Sequence, residues 1–143
     1  MAEPAMQDAF AWPVRIYWED TDAGGVVYHA RYLAFLERAR GEWLRAHGVE
    51  QAVLRDQDDL VFAVRAMDLE FRAPARLDDQ LQVSVRLLES RGASFTVAQR
   101  IERDGALLVE ARVRIGALRA SDFRPRAIPA PLSDILNKLV ETP

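Results

Sequence analysis

The chain switches between two hydrophobic periods. From Pro13 the stretch PVRIYWE sets Val14, Ile16 and Trp18 against Arg15 and Tyr17, the alternation of a short strand. EDTDAGG breaks it. In residues 30–47, ARYLAFLERARGEWLRAH, Tyr32, Leu36, Ala39 and Trp43 recur at helical spacing, flanked by Leu33 and Phe35. Glu37, Arg38, Arg40, Glu42 and Arg45 fill the other positions, so an amphipathic helix is predicted, with Gly48 as its stop. Residues 51–59 read as a polar linker. Period two then returns. Residues 60–72 begin apolar on both faces, then place Met67, Leu69 and Phe71 opposite Asp68, Glu70 and Arg72, and Pro74 closes the strand. Leu81, Val83, Val85 and Leu87 alternate with Gln82, Ser84 and Arg86. Arg91-Gly92 marks a turn, Phe95, Val97 and Ile101 a further strand, and Asp104-Gly105 a hairpin. Leu107, Val109, Ala111, Val113 and Ile115 form the last long strand, and RPRAIPAP leads into a short helix through Ile135, Leu136 and Leu139.

The predicted order is a strand, a long helix, then four strands in antiparallel succession, an α+β pattern. One helix covers one sheet face, so the simplest packing wraps the sheet around it and leaves the other face wet or buried in an oligomer. Residues 1–12 read as a loose tail and residues 13–143 as one domain.

Composition narrows the chemistry. The chain has 143 residues, half of them apolar and 29% charged, and a formal net charge of −3. This is a soluble globular balance with no signature of nucleic-acid binding. Cysteine is absent, which removes disulfides, thiolate nucleophiles and cysteine zinc sites and fits a reducing cytoplasm. MAEPAMQDAFAW lacks the charged start and apolar core of a secretory signal, and no apolar run reaches the length of a membrane span.

The chemistry concentrates in EDTDAGGVVYHARYLAF, residues 19–35. Read as a calcium loop from Asp20, it has Asp22 and Gly25 in register, but Gly24 stands at the fifth position and Arg31 at the twelfth, so the ligand set is incomplete. No nucleotide-binding glycine motif is present, and neither is a G-x-S-x-G elbow. A glycine pair before a helix still offers N–H groups to an anion or a developing oxyanion. With serine and cysteine chemistry set aside, a carboxylate remains to attack a carbonyl or activate water. Asp20 reads as a turn or cap residue. For Asp22 the structural and catalytic readings balance. Tyr28, Tyr32 and Trp43 read as core or interface, and His29 as a cap neighbour, a substrate contact or a catalytic group.

RIYWEDTDAGGVVYHARYLAFLERARGEWLR resembles the signature segment of the hotdog-fold acyl-CoA thioesterases. The nearest branch is the YbgC type, associated with Tol-Pal and related to 4-hydroxybenzoyl-CoA thioesterase. FAVRAMDLEFRAPARLDDQL, the Arg91-Gly92 turn with SFTVAQRI, and RPRAIP extend the resemblance over about residues 12–130. It implies a hotdog fold, a curved antiparallel sheet wrapped around one long central helix. It implies a homodimer with a sheet continuous across both protomers, commonly doubled to a homotetramer, with active sites at the dimer interface. Acyl-CoA is the implied substrate, without a cofactor or metal, and acyl carrier protein a possible partner. By position, Asp22 matches the catalytic carboxylate, and the N–H at His29 the group that polarises the thioester carbonyl. Gly25 and Val26 match the site loop, Tyr28 and His29 its lining, and the His29 side chain a second catalytic contributor. Arg91 matches a basic residue for the nucleotide end of CoA, with Arg124 and Arg126 as further candidates. Glu37 is expected to be a helix-face or interface charge. Two rival readings are a hotdog hydratase or dehydratase using His29 with Glu37, and a partner-binding module of an envelope or lipid-synthesis complex.

Overall fold

The computed structural model describes residues 10–141. Five strands form one antiparallel sheet: β1 (Phe10–Arg15), β2 (Leu60–Phe71), β3 (Gln80–Arg91), β4 (Ser94–Arg103) and β5 (Ala106–Arg119). Three α-helices accompany them: α1 (Arg31–Ala46), α2 (Gln51–Asp58) and α3 (Ala130–Glu141). The arrangement is the hotdog fold, a curved sheet around the long α1.

α1 follows the predicted stripe. Tyr32, Phe35, Leu36, Ala39, Trp43 and Leu44 are buried against the sheet. The chain leaves the helix through Gly48 at φ 82°, a conformation glycine adopts without a Cβ penalty. Inward-facing Leu81, Val83, Val85, Phe95, Val97, Ile101, Val109 and Val113 complete one core with it. Asp104 and Gly105 both have positive φ, as a two-residue hairpin turn requires. α3 adds Leu132 and Leu136 and packs against β3.

Four features differ from the sequence expectation. β1 begins at Phe10, so residues 10–12 belong to a strand rather than the tail, while residues 1–9 lie outside the described residues. Ile16 keeps pairing, its N–H donating to Asp79 O, but Trp18–Asp20 turn into a 3-10 segment that leaves Trp18 exposed. The linker 51–59 is mostly the helix α2, which buries no residue and only half-buries Leu54, so it lacks the wide apolar stripe that marks a helix in sequence. Finally, the last four strands are not in spatial succession. The sheet order is β1-β3-β4-β5-β2, so β2 pairs with β5 and forms an edge. Residues 72–79 carry the chain from that edge across to β3, and this crossing supports the site.

Candidate active site

The two aspartates of the Asp-x-Asp motif have separate environments. Asp20 is buried, 3% exposed. Its Oδ2 accepts the Tyr17 N–H at 2.9 Å. Its Oδ1 accepts Nε and Nη2 of Arg31 at 2.9 and 2.7 Å. Its carbonyl accepts the Tyr28 N–H at 2.9 Å. Asp20 therefore ties the loop entry, the loop exit and the first residue of α1 together. A buried carboxylate committed to a guanidinium and a backbone N–H is a structural anchor.

Asp22 is exposed and meets no cation within ion-pair distance among the described residues. Its Oδ1 accepts the Gly24 N–H at 2.8 Å, which fixes the plane of the carboxylate and leaves Oδ2 open. The Asp22 N–H donates to Val26 O and the Gly25 N–H to Asp22 O, both at 3.0 Å, closing a tight loop. Gly25 sits at φ 84°, in the left-handed region that disfavours a side chain. A Cβ on Gly24 would lie 3.2 Å from Asp22 Oδ1 and crowd the carboxylate. The glycine pair thus shapes the loop and clears space beside the reactive oxygen.

Antiparallel bridging of Thr21 with Val27 folds this loop back so that it delivers the chain to α1. Ala30, at the helix N-cap, makes no side-chain cap bond. The N–H groups of His29 and Ala30 donate to no acceptor among the described residues. They are the open donors expected at a helix start, where the helix dipole also favours negative charge. The His29 ring is exposed and lies 4.6 Å from the Tyr28 ring, centroid to centroid, and 6.4 Å from Phe71.

The crossing loop supplies the floor. The Val27 N–H donates to Ala75 O at 2.9 Å, and the Ala75 N–H donates to the Tyr32 hydroxyl at 3.0 Å. Tyr32 is buried, and this burial raises its phenol above the ordinary value, with the Ala75 bond opposing. A cavity of about 290 Å³ opens here, lined by Val27, His29, Tyr32, Phe71, Ala73 and Pro74 among others. Tyr32, Phe71 and Ala75 belong to the site through tertiary contact alone. Residues 71–75 carry no local signal beyond the proline that ends β2.

The structure brings Asp22, Gly25, Val26, Tyr28 and His29 into one segment. Arg91 is elsewhere. It is exposed at the far end of β3, paired with Glu89 at 3.5 Å. The site lies beyond the Gln80 end, so about 35 Å of strand separates the two. Within one protomer Glu37 lines a different cavity from His29, so a single chain does not bring these two side chains into one pocket. Among the described residues no group of three histidine, aspartate or glutamate side chains converges as a metal set, and no helix is long and apolar enough to cross a membrane.

A family model described as the thioesterase-like superfamily matches residues 16–139, a span that includes the loop, α1 and the crossing. An acyl-CoA thioester hydrolase YbgC of Escherichia coli is 49% identical over 121 residues, covering 84% of this chain and 90% of that protein. The chain belongs to the YbgC-type thioesterases. An acyl-CoA thioesterase YbgC of Haemophilus influenzae is 41% identical, with 87% of this chain and 91% of that protein covered. The crystal structure of a probable thioesterase from Bartonella henselae superimposes with a TM-score of 0.81 at 38% identity, covering 85% and 99% of the two chains.

Proposed function

We propose that this chain is an acyl-CoA thioesterase that hydrolyses the thioester to a free acid and CoA, with Asp22 as the catalytic carboxylate. The observation that carries the reading is the pairing of an exposed, oriented carboxylate with unpartnered N–H groups at the start of α1. The thioester carbonyl oxygen is held by the His29 N–H as it gains charge. Asp22 Oδ2 takes a proton from the water that attacks the carbonyl carbon, or attacks it directly. The carbon–sulfur bond breaks and CoA leaves as the thiolate. On the direct route a water then cleaves the resulting anhydride to release the acid and restore the Asp22 carboxylate. Gly25 and Val26 shape the loop against the substrate, and Tyr28 and the His29 ring border the thioester. The acyl group enters the cavity between His29 and Phe71.

The unpaired edge of β2 supports assembly as a homodimer. This strand has 12 residues without proline or glycine, and leaves Val64 and Phe71 exposed. Such an edge is usually covered in a folded protein. Antiparallel pairing of two β2 strands about a two-fold axis brings the Phe71 end of one protomer to the Leu60 end of the other. Arg124 and Arg126 lie at that second end, Arg126 donating to Asp58 O, and Arg91 lies at the same end of the sheet. On this reading the partner supplies the cations that meet the CoA phosphates. Further doubling to a homotetramer, a cytoplasmic location, association with Tol-Pal function and acyl delivery by an acyl carrier protein extend the same reading.

The test is hydrolysis of short, long and aromatic acyl-CoA substrates, with free thiol measured for wild type and Asp22→Asn. Activity lost in the variant at unchanged oligomer size supports the assignment. Residual wild-type turnover in the variant removes Asp22 from the mechanism. Single turnover in isotopically labelled water tests for direct attack: label in the Asp22 carboxylate shows an anhydride opened by water at the aspartyl carbon, which general-base catalysis does not produce.

A further inference from the structure

Arg40 projects from the middle of α1 into the protein. It is 8% exposed, buried like Ala39 before it. Among the described residues its one polar side-chain contact is Nη1 donating to Gln99 Oε1 at 3.0 Å. Gln99 is itself fully buried, and its amide donates to Leu36 O at 3.1 Å and Ser84 O at 3.4 Å. A guanidinium has five N–H groups, and a neutral amide gives one of them a partner without offsetting the charge. Among the described residues no fully enclosed side-chain nitrogen or oxygen lacks a partner. The remaining Arg40 donors therefore reach the space beside it. That space is a cavity of about 280 Å³ between α1 and β2, lined by Glu37, Arg40, Gly41, Leu44, Phe62 and Val64 among others. Burial lowers the Arg40 pKa, and Glu37 one turn away opposes the shift without approaching to ion-pair distance.

The cavity thus holds an under-partnered cation, a free carboxylate and the open edge of β2. A two-fold interface must be self-complementary, so a group at one position meets the other position of its mate. Glu37 and Arg40 lie one helical turn apart, so an antiparallel copy of α1 places each opposite the other's complement. Gly41 lies beside Arg40 in the cavity wall, with the Gln51 amide of the same chain 3.7 Å from where a Cβ would stand. We propose that Glu37 of a second copy enters this cavity to pair with Arg40, and that the reverse pair forms across the two-fold axis. The inference rests on the β2-edge dimer described above and names the charges that set its register. These pairs make the interface specific for a second copy of this chain, because a like charge at either position leaves a buried charge opposed.

The experiment is sedimentation over a range of concentrations for wild type, Glu37→Arg, Arg40→Glu, and an equimolar mixture of the two variants. In a Glu37→Arg homodimer every cross-pair is arginine with arginine. In an Arg40→Glu homodimer every cross-pair is glutamate with glutamate. In the mixed dimer both pairs are complementary. Each variant alone is expected to raise the dimer dissociation constant by about 10²-fold or more, and mixing is expected to restore a heterodimer. Glu37 is exposed, so Glu37→Arg keeps the fold intact and carries the test even where Arg40→Glu fails to fold. A dimer of Glu37→Arg as tight as wild type, or two folded variants that do not combine, overturns the charge pair. A wild type that stays monomeric at every concentration overturns the underlying β2-edge dimer as well, which keeps the two failures distinct.

Discussion

Trp18–Thr21 and Asp22–Val26 are consecutive in sequence and opposite in physics. In the first stretch the carboxylate of Asp20 is buried, bonded to a guanidinium and a backbone N–H, and joined to the helix start. In the second the carboxylate of Asp22 is exposed, held at one oxygen by Gly24 and open at the other. An anchored anion lowers the free energy of one backbone arrangement, whereas an open one retains its capacity to react. The two aspartates divide the work. Asp20 builds the helix-entry geometry, and Asp22 uses it.

That division is tested by substituting each half. Asp22→Asn has the largest expected effect, a loss of about 10²–10⁴-fold in kcat, the range for removing a positioned acid–base group, with a thermal midpoint close to wild type. A variant that loses thermal stability as well would make Asp22 structural like Asp20. Asp20→Asn is expected to behave the other way. It leaves Arg31 only the longer, exposed contact with Glu19 at 3.6 Å and costs about 1–3 kcal/mol in denaturant unfolding. Activity falls only as far as the loop loosens. Arg31 is partly exposed, so water softens the loss.

Tyr32→Phe sharpens the comparison from beneath the loop. It removes the acceptor for the Ala75 N–H, in the chain of bonds that reaches Val27, while preserving the ring against Phe71. A destabilisation of about 1 kcal/mol is expected, with kcat lowered more than KM is raised. An unchanged kcat would show that the crossing loop does not position the oxyanion donor. The smallest effect concerns Asp79. Partial burial raises its carboxyl, but the Arg76 N–H and the Arg103 guanidinium outweigh that and hold it below the usual 3.8. A group depressed in the folded state stabilises above its ordinary pKa and loses that contribution as pH falls through the folded value. Asp79→Asn should therefore lower stability near neutrality and flatten its decline below about pH 4. Parallel acid curves for variant and wild type would remove this pair from the linkage.

The two sheet edges show how far local pattern reaches. β1 has six residues and carries Pro13, a residue that cannot donate to a ladder and that suits an edge. β2 reads in sequence as an apolar strand like any other, and nothing local distinguishes an edge from a central position. Its place beside β5 follows from the crossing of residues 72–79, a long-range choice set by which pairing buries the core.

What the sequence by itself determined is what depends on neighbours along the chain. Helical spacing specified α1, alternation specified β3 to β5, Asp104-Gly105 specified a hairpin, and Asp22-Ala23-Gly24-Gly25 specified a loop able to expose a carboxylate before a helix. Hydrogen bonds across a few residues and side-chain periodicity act within these windows. Tertiary structure alone decided that Asp20 is buried against Arg31, that Tyr32 holds Ala75 beneath the loop, that Arg91 lies a full strand away, and that Arg40 faces a cavity with Gln99 as its partner. Each depends on groups distant in sequence being brought together by burial of one shared core, and which distant groups meet there has no local signature.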